Sequence, residues 1–139
     1  MNQYTSHSAE ETKKIAANLA KKIPQGVIAL NGNLGAGKTT FVQGFAKGLG
    51  IKEKIISPTF VLIRQHKIPN FKKTLYHIDL YRIEDTEKFK QIGLEEILSN
   101  QNNIVLIEWA EKIKKFLPKS TIRINLENID HDKRLITIY

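Results

Sequence analysis

Residues that could hold phosphate groups are concentrated between Leu30 and Thr40, where the sequence reads LNGNLGAGKTT. This segment contains the pattern G-x-x-x-x-G-K-T. In that pattern glycines let backbone N–H groups turn toward phosphate oxygens, the lysine contacts the terminal phosphates, and the hydroxyl binds Mg²⁺. We therefore predict a site for ATP and Mg²⁺, with Thr39 as a metal ligand. The residues predicted to contact the nucleotide here are Gly32, Asn33, Leu34, Gly35, Ala36, Gly37, Lys38, Thr39 and Thr40.

Two acidic residues could complete such a site. Glu108 directly follows the apolar run IVLI, so a buried strand would end with its carboxylate beside the metal. Asp79 interrupts the strand-like segment HIDLYR, where an unpaired charge would be costly. We expect Glu108 to bind Mg²⁺, directly or through water, and Asp79 to orient the attacking water. Two alternatives stay open, because Glu108 could be a surface residue at a strand end and Asp79 could pair with Arg82 or a helix end.

The segment SPTF at residues 57–60 and the single tryptophan have less specific signals. SPTF places two hydroxyl groups around a proline, which suits either a loop that responds to the terminal phosphate or an ordinary turn before a strand. Trp109 directly follows Glu108, and a tryptophan alone favours packing in a core or an interface.

The length and composition favour one domain over residues 1–139. No apolar stretch approaches the ~20 residues of a membrane span, and the polar N-terminus does not resemble a signal peptide. We therefore expect a cytoplasmic protein that does not contact a membrane. The absence of cysteine excludes disulfides and thiolate metal sites, and the 4 histidines are scattered, so no zinc site is expected.

The net charge of +8 favours anionic partners such as nucleotides, RNA or acidic protein surfaces. The lysines occur mostly as dispersed pairs, which is also typical of solvated helix faces. The sequence therefore leaves open whether the basic surface touches RNA, directly or through other proteins.

Hydrophobic periodicity predicts strands and helices in alternation, and Ser8 with Glu11 forms a capping box before the first helix. Predicted helices cover 9–22, 39–49, 86–99 with a break near Gly93, and 110–117. Predicted strands cover 27–30, 59–68 paired with 73–83, 103–109, and a C-terminal antiparallel hairpin of 121–128 and 133–139. This order predicts an α/β fold with a mixed β-sheet flanked by helices. Together with the G-x-x-x-x-G-K-T motif it predicts a P-loop NTPase-like fold.

Five segments, in this order and spacing, resemble the TsaE (YjeE) family across nearly the whole chain. They are GNLGAGKTTFVQGF, SPTF, HIDLYR, IGLEEIL and IVLIEW. The resemblance implies a small P-loop ATPase that works with the TsaB and TsaD proteins in making threonylcarbamoyladenosine (t6A) in tRNA. It further implies that hydrolysis is weak without these partners and resets their complex between rounds of transfer, a transfer that TsaD itself carries out.

The resemblance also implies roles for individual residues. Those expected to serve hydrolysis are Lys38, Asp79 and Glu108, with Thr39 and Glu108 at the metal. SPTF becomes a switch-like loop that brings Thr59 to the nucleotide, and Trp109 gains a role beside the metal-binding glutamate. The nucleotide base would lie between the segment 5–11 and the basic pair formed by Lys133 and Arg134.

Two other functions use some of the same features. A small P-loop nucleoside or small-molecule kinase would share the phosphate loop and the magnesium carboxylate, but it usually adds an arginine-rich lid for which this chain has little length. An RNA-binding domain without enzymatic activity would explain the charge and leave the phosphate loop without a role, and no aromatic cluster marks a nucleic-acid surface.

Overall fold

The computed structural model describes residues 2–33, 35–55, 63–84 and 93–139. The strands in these ranges are β1 (Asn2–Ser6), β2 (Gly26–Asn31), β3 (Ile63–Lys67), β4 (Thr74–Asp79), β5 (Asn103–Glu108), β6 (Ile122–Asn128) and β7 (Arg134–Ile138). The helices are α1 (Ala9–Lys22), α2 (Lys38–Gly48), α3 (Leu94–Ser99) and a 3₁₀ helix (Ala110–Phe116). All these strands belong to one mixed sheet in the order β1-β7-β6-β2-β5-β4-β3, which confirms the predicted α/β class.

The centre of the sheet is parallel. β2 pairs in parallel with both β5 and β6, and β5 pairs in parallel with β4. The carboxyl ends of these four strands therefore meet at one edge of the sheet, where ligands of open α/β sheets usually bind. β7 runs antiparallel to β6, with Asn128 opposite Arg134, so Arg134 at the start of β7 lies at this same edge.

Apolar side chains cover both faces of the sheet. Ile28 and Leu30 of β2 belong to the core beneath α1 and α2, whereas Val27 and Ala29 belong to the core on the opposite face. This burial on both sides explains why β2 is an unbroken apolar run and not an alternating one. Within the described part of the chain, no helix is long and apolar enough to cross a membrane.

Helices α1 and α2 pack closely because two glycines of α2 face α1. A Cβ atom on Gly44 would lie 2.4 Å from the Cα of Lys13, and one on Gly48 would lie 2.5 Å from the carbonyl oxygen of Ala17. Even an alanine at either position would therefore push the helices apart. This contact fixes α2, whose first residues follow the phosphate loop.

The N-terminal helix has the predicted bounds, 9–22. The Oγ of Ser8 accepts a hydrogen bond from the backbone N–H of Glu11 over 3.1 Å, as predicted. The Glu11 carboxylate, however, accepts from the backbone N–H of His7 and not from that of Ser8. The preceding strand β1 was not predicted, because the polar sequence NQYTS has no apolar pattern. It forms a strand because it pairs in antiparallel fashion with β7.

Several predicted boundaries are wrong at the sheet edge. The strand predicted over 73–83 ends at Asp79, whose Oδ1 accepts a hydrogen bond from the N–H of Tyr81 over 3.0 Å and so closes a turn. The strand predicted over 103–109 ends at Glu108, because Trp109 has a left-handed φ of 61°. The helix predicted over 110–117 is a 3₁₀ helix with non-helical angles at Ile113.

The other predicted elements agree with the structure where it describes them. Residues 26–31 form the strand predicted at 27–30, residues 38–48 form the helix predicted at 39–49, and the C-terminal hairpin is present. The predicted strand 59–68 and helix 86–99 extend into ranges outside the described residues, and their described parts are Ile63–Lys67 and Leu94–Ser99.

Candidate functional site

A cavity of about 540 Å³ lies at the carboxyl edge of the parallel strands. Its walls come from the phosphate loop and α2, from the ends of β4 and β5 with the residues after them, and from the start of β7. The lining residues are Gly35, Gly37, Lys38, Thr39, Thr40, Asp79, Tyr81, Arg82, Glu108, Trp109 and Arg134. Segments far apart in sequence thus converge on one space.

The phosphate loop leaves β2 through a position that accepts only glycine. Gly32 has a φ of 153°, and a Cβ atom there would lie 2.7 Å from the carbonyl oxygen of Leu126 on β6. At the other end of the loop, Gly37 precedes α2 and its carbonyl accepts the N–H of Phe41 over 2.9 Å. The first N–H groups of α2 have no partner within the helix, and together with the helix dipole they favour an anion at this end of the cavity.

Lys38 is almost completely buried at the first position of α2, with 6% of its surface exposed. Its Nζ donates a hydrogen bond to the carbonyl oxygen of Gly32 over 2.5 Å and lies 4.0 Å from the ring centroid of Trp109. Burial lowers the pKa of Lys38, and the nearby carboxylates of Glu108, Glu111 and Asp79 oppose this by favouring the charged form. The ammonium is therefore a partly dehydrated cation held close to acidic groups.

Two buried carboxylates lie at the ends of neighbouring strands. Asp79 on β4 and Glu108 on β5 are register partners, and they are only 6% and 3% exposed. The Glu108 Oε2 accepts a hydrogen bond from the Nε2 of His77 over 2.6 Å, and the Asp79 Oδ1 accepts from Tyr81 as described above. Hydrogen bonds to each carboxylate offset part of the cost of its burial.

Aromatic side chains cover the cavity on the side of the 3₁₀ helix. The rings of Tyr81 and Trp109 are in contact, with their centroids 5.1 Å apart. The segment that carries Tyr81 is held by Lys112, whose Nζ donates to the carbonyl oxygens of Tyr81 and Ile83 over 2.6 and 2.9 Å. Sequence reasoning missed Tyr81 and Lys112, because their roles depend on the turn after Asp79.

Arg134 lies against the phosphate loop. Its Nη2 donates to the carbonyl oxygen of Gly35 over 3.4 Å, and its Nη1 donates to the Oδ1 of Asn128 over 2.9 Å. The guanidinium thus adds a second positive charge to the wall of the cavity that carries Lys38. The sequence contains no local motif around Arg134, and the start of β7 brings it to this edge.

The predicted site residues fall into three groups. The residues that line the common cavity are Gly35, Gly37, Lys38, Thr39, Thr40, Asp79, Glu108 and Arg134. Gly32 and Asn33 line a neighbouring cavity of about 330 Å³, and the side chain of Ala36 is buried. Leu34 and Thr59 lie outside the described residues, so their contacts with the nucleotide stay predictions.

The donor atoms of the cavity suit a hard cation. Thr39, Asp79 and Glu108 offer oxygen atoms only, which is the donor type that Mg²⁺ prefers. Over the described ranges no three His, Asp or Glu side chains form a metal cluster. At nucleotide sites Mg²⁺ is commonly held by one or two protein ligands, and phosphates and water complete its coordination. The cavity can thus combine anion binding with acid groups that hold a cation or orient water.

Comparison with known proteins gives a consistent result. The model of the family described as "Threonylcarbamoyl adenosine biosynthesis protein TsaE" matches residues 6–136. A relative from Rickettsia conorii, called tRNA threonylcarbamoyladenosine biosynthesis protein TsaE, is 46% identical over 97% of this chain and 76% of its own length. A relative of that name from Bacillus subtilis is 44% identical over 92% of this chain and 78% of its own length. The crystal structure of Bacillus subtilis YdiB has a TM-score of 0.81, with 36% identity, over 99% of this chain and 83% of that one.

Proposed function

Because the chain belongs to the TsaE family, we propose that it is the ATP-binding and ATP-hydrolysing subunit of the machinery that makes threonylcarbamoyladenosine in tRNA. One observation carries the proposal. Lys38 and Thr39 of the phosphate loop share one cavity with the buried carboxylates of Asp79 and Glu108. A P-loop NTPase needs this combination, because it must bind phosphates, hold a metal and orient a water molecule.

In this proposal the residues of the loop bind the triphosphate. The backbone N–H groups from Gly32 to Thr39 surround the phosphate oxygens, and the ammonium of Lys38 contacts the terminal phosphates. To do so Lys38 exchanges its contact with the Gly32 carbonyl for a phosphate oxygen. Arg134 flanks the nucleotide from the side of β7, and Thr40 contributes a hydroxyl group on α2.

The two carboxylates then take different roles. Glu108 and Thr39 would hold Mg²⁺, and their oxygen atoms fit that ion. When bound, Mg²⁺ would neutralise charge on the terminal phosphates and so favour transfer of the γ-phosphoryl group to water, with ADP as the leaving group. Asp79 would orient the attacking water, since its carboxylate lines the same cavity as Lys38 and Glu108 and its Oδ1 is held in place by the N–H of Tyr81.

In this proposal, ATP hydrolysis by the chain serves a larger assembly. We expect the chain to act as one P-loop ATPase domain in the cytoplasm, together with TsaB and TsaD, and to hydrolyse ATP weakly without them. Hydrolysis would reset the complex between rounds of threonylcarbamoyl transfer. The net charge of +8 supports anionic partners, which include tRNA.

Steady-state ATP hydrolysis, measured with and without TsaB, TsaD and tRNA, tests the proposal. We expect slow Mg²⁺-dependent phosphate release by the chain alone and a clear increase with the partners. Lys38→Ala is the control that should abolish both rates. A rate that is independent of the partners, with phosphate passed to a small-molecule acceptor, would instead favour a kinase.

A further inference from the structure

His77 is buried against Glu108, at a position that no role in the proposed function uses. Its surface is 0% exposed, and its Nε2 lies 2.6 Å from the Glu108 Oε2. The Glu108 side chain is itself 5% exposed, so water has little access to the pair. A contact this short between buried polar groups fixes the orientation of both side chains.

The sheet register explains why these two residues meet. His77 and Asp79 are two positions apart on β4 and therefore point to the same face, and Asp79 is the register partner of Glu108. His77 thus reaches Glu108 diagonally, from the position opposite Leu106. The imidazole lies between the apolar core under α2 and the acid groups at the strand ends.

We propose that His77 is a positioning residue, which holds one oxygen of the Glu108 carboxylate so that the other faces the cation. A carboxylate oxygen is an acceptor, so the Nε2 of His77 must carry the proton that it donates. The Nδ1 of His77 is buried without a hydrogen-bond partner among the described residues, as suits a ring that carries its one proton on Nε2. This inference rests on the proposed function, because it takes Glu108 as a metal ligand.

Loss of the hydrogen bond between His77 and Glu108 should lower the affinity for Mg²⁺ and not the affinity for the nucleotide itself. A carboxylate that can rotate must be ordered when the cation binds, and that ordering weakens binding. Replacing a residue that orients a metal ligand typically costs 10–100-fold in metal affinity. His77 does not line the cavity beside the phosphate loop, and its described hydrogen bond goes to Glu108, so nucleotide affinity without Mg²⁺ should depend on it little.

A matched pair of variants separates positioning from simple space filling. Gln at position 77 keeps an N–H donor on a side chain of similar reach, whereas Met fills similar space without a donor. Binding of the ATP analogue AMPPNP is measured by calorimetry with excess Mg²⁺ and with EDTA, and the ratio of the two affinities is the readout. We expect His77→Met to lower this ratio about 10-fold or more, and His77→Gln to restore most of it.

Two outcomes of the binding experiment would overturn the role of His77. One is a wild-type ratio in a folded His77→Met variant, and the other is an equal loss in both variants. If His77→Met does not fold, the test is the tautomer of His77 in the wild-type chain, measured by long-range ¹H–¹⁵N NMR. A proton on Nε2 is expected, and a ring protonated only on Nδ1 would overturn the proposal. If Mg²⁺ had no effect on nucleotide binding by the wild type, the proposed function would be contradicted instead. The NMR measurement would still test the hydrogen bond between His77 and Glu108.

Discussion

Asp79 and Glu108 are register partners at the ends of two neighbouring parallel strands, and both carboxylates are buried. Two acids placed so close would repel each other in a low-dielectric setting unless cations or donors balance them. Lys38, close enough to both for their charges to act on its pKa, supplies one balancing charge. Mg²⁺ would supply another when nucleotide is bound.

Lys38→Met should bind nucleotide poorly, because the variant lacks the ammonium that contacts the terminal phosphates in the proposed complex. Loss of a hydrogen bond from a charged donor costs about 2 kcal/mol, or roughly 30-fold in affinity. Lys47→Met, at an exposed position of α2, is the control. Calorimetry measures the ATP affinity of both variants, and urea unfolding checks that they are folded; a folded Lys38→Met variant that binds ATP normally would contradict the account.

Thr39→Val should weaken the effect of Mg²⁺ on ATP binding, by at least about 10-fold, because valine has the shape of threonine without the metal-binding hydroxyl. Thr39→Ser restores the hydroxyl and is the matched control. The measurement is ATP affinity as a function of Mg²⁺ concentration. If both variants respond to Mg²⁺ like the wild type, Thr39 is not a metal ligand.

Gly44→Ala should destabilise the fold by about 1–3 kcal/mol, because the added methyl group would overlap the backbone of α1. Lys47→Ala, at an exposed position of α2, leaves the helix contact intact and should change stability little. Urea unfolding of the two variants provides the comparison. Equal stability of Gly44→Ala and the wild type would contradict the claim that α1 and α2 must pack this closely.

Glu11→Gln should lower stability at neutral pH and not in acid. The hydrogen bond from the His7 backbone N–H lowers the pKa of Glu11 below its usual 4.5. The carboxylate therefore stabilises the fold above about that pH, and this contribution disappears as the pH falls through the lower folded-state pKa. Thermal unfolding between pH 3 and pH 7 should show the variant and the wild type converging in acid. A constant difference would contradict this explanation, and Glu10→Gln in the same turn is the control.

The phosphate loop could be predicted because its signal is local. About ten residues determine the geometry of the loop, namely its glycines, Lys38 and the flanking apolar strand. The family resemblance then supported the roles expected for Asp79 and Glu108. The α/β class followed from the alternation of apolar patterns. Comparison with relatives then confirmed the family.

Other features depend on contacts between distant residues. The apolar spacing of Leu80 and Ile83 continues the strand pattern beyond Asp79, and only the hydrogen bond to Tyr81 reveals where β4 ends. The partner of Glu108 is 31 positions away, so His77 could be found only once the register of β4 and β5 was known. Strand β1 has no apolar pattern of its own and depends on β7.

The most direct test of the central claim is single-turnover hydrolysis of bound ATP, by the wild type and by Asp79→Asn, in the presence of TsaB and TsaD. Asparagine keeps an oxygen acceptor for the Tyr81 N–H, so the turn should be preserved, but it cannot take a proton from water. We expect both proteins to bind Mg²⁺ and ATP within a few-fold of each other, and phosphate release to fall about 100-fold or more in the variant. Release at the wild-type rate by Asp79→Asn would contradict the account.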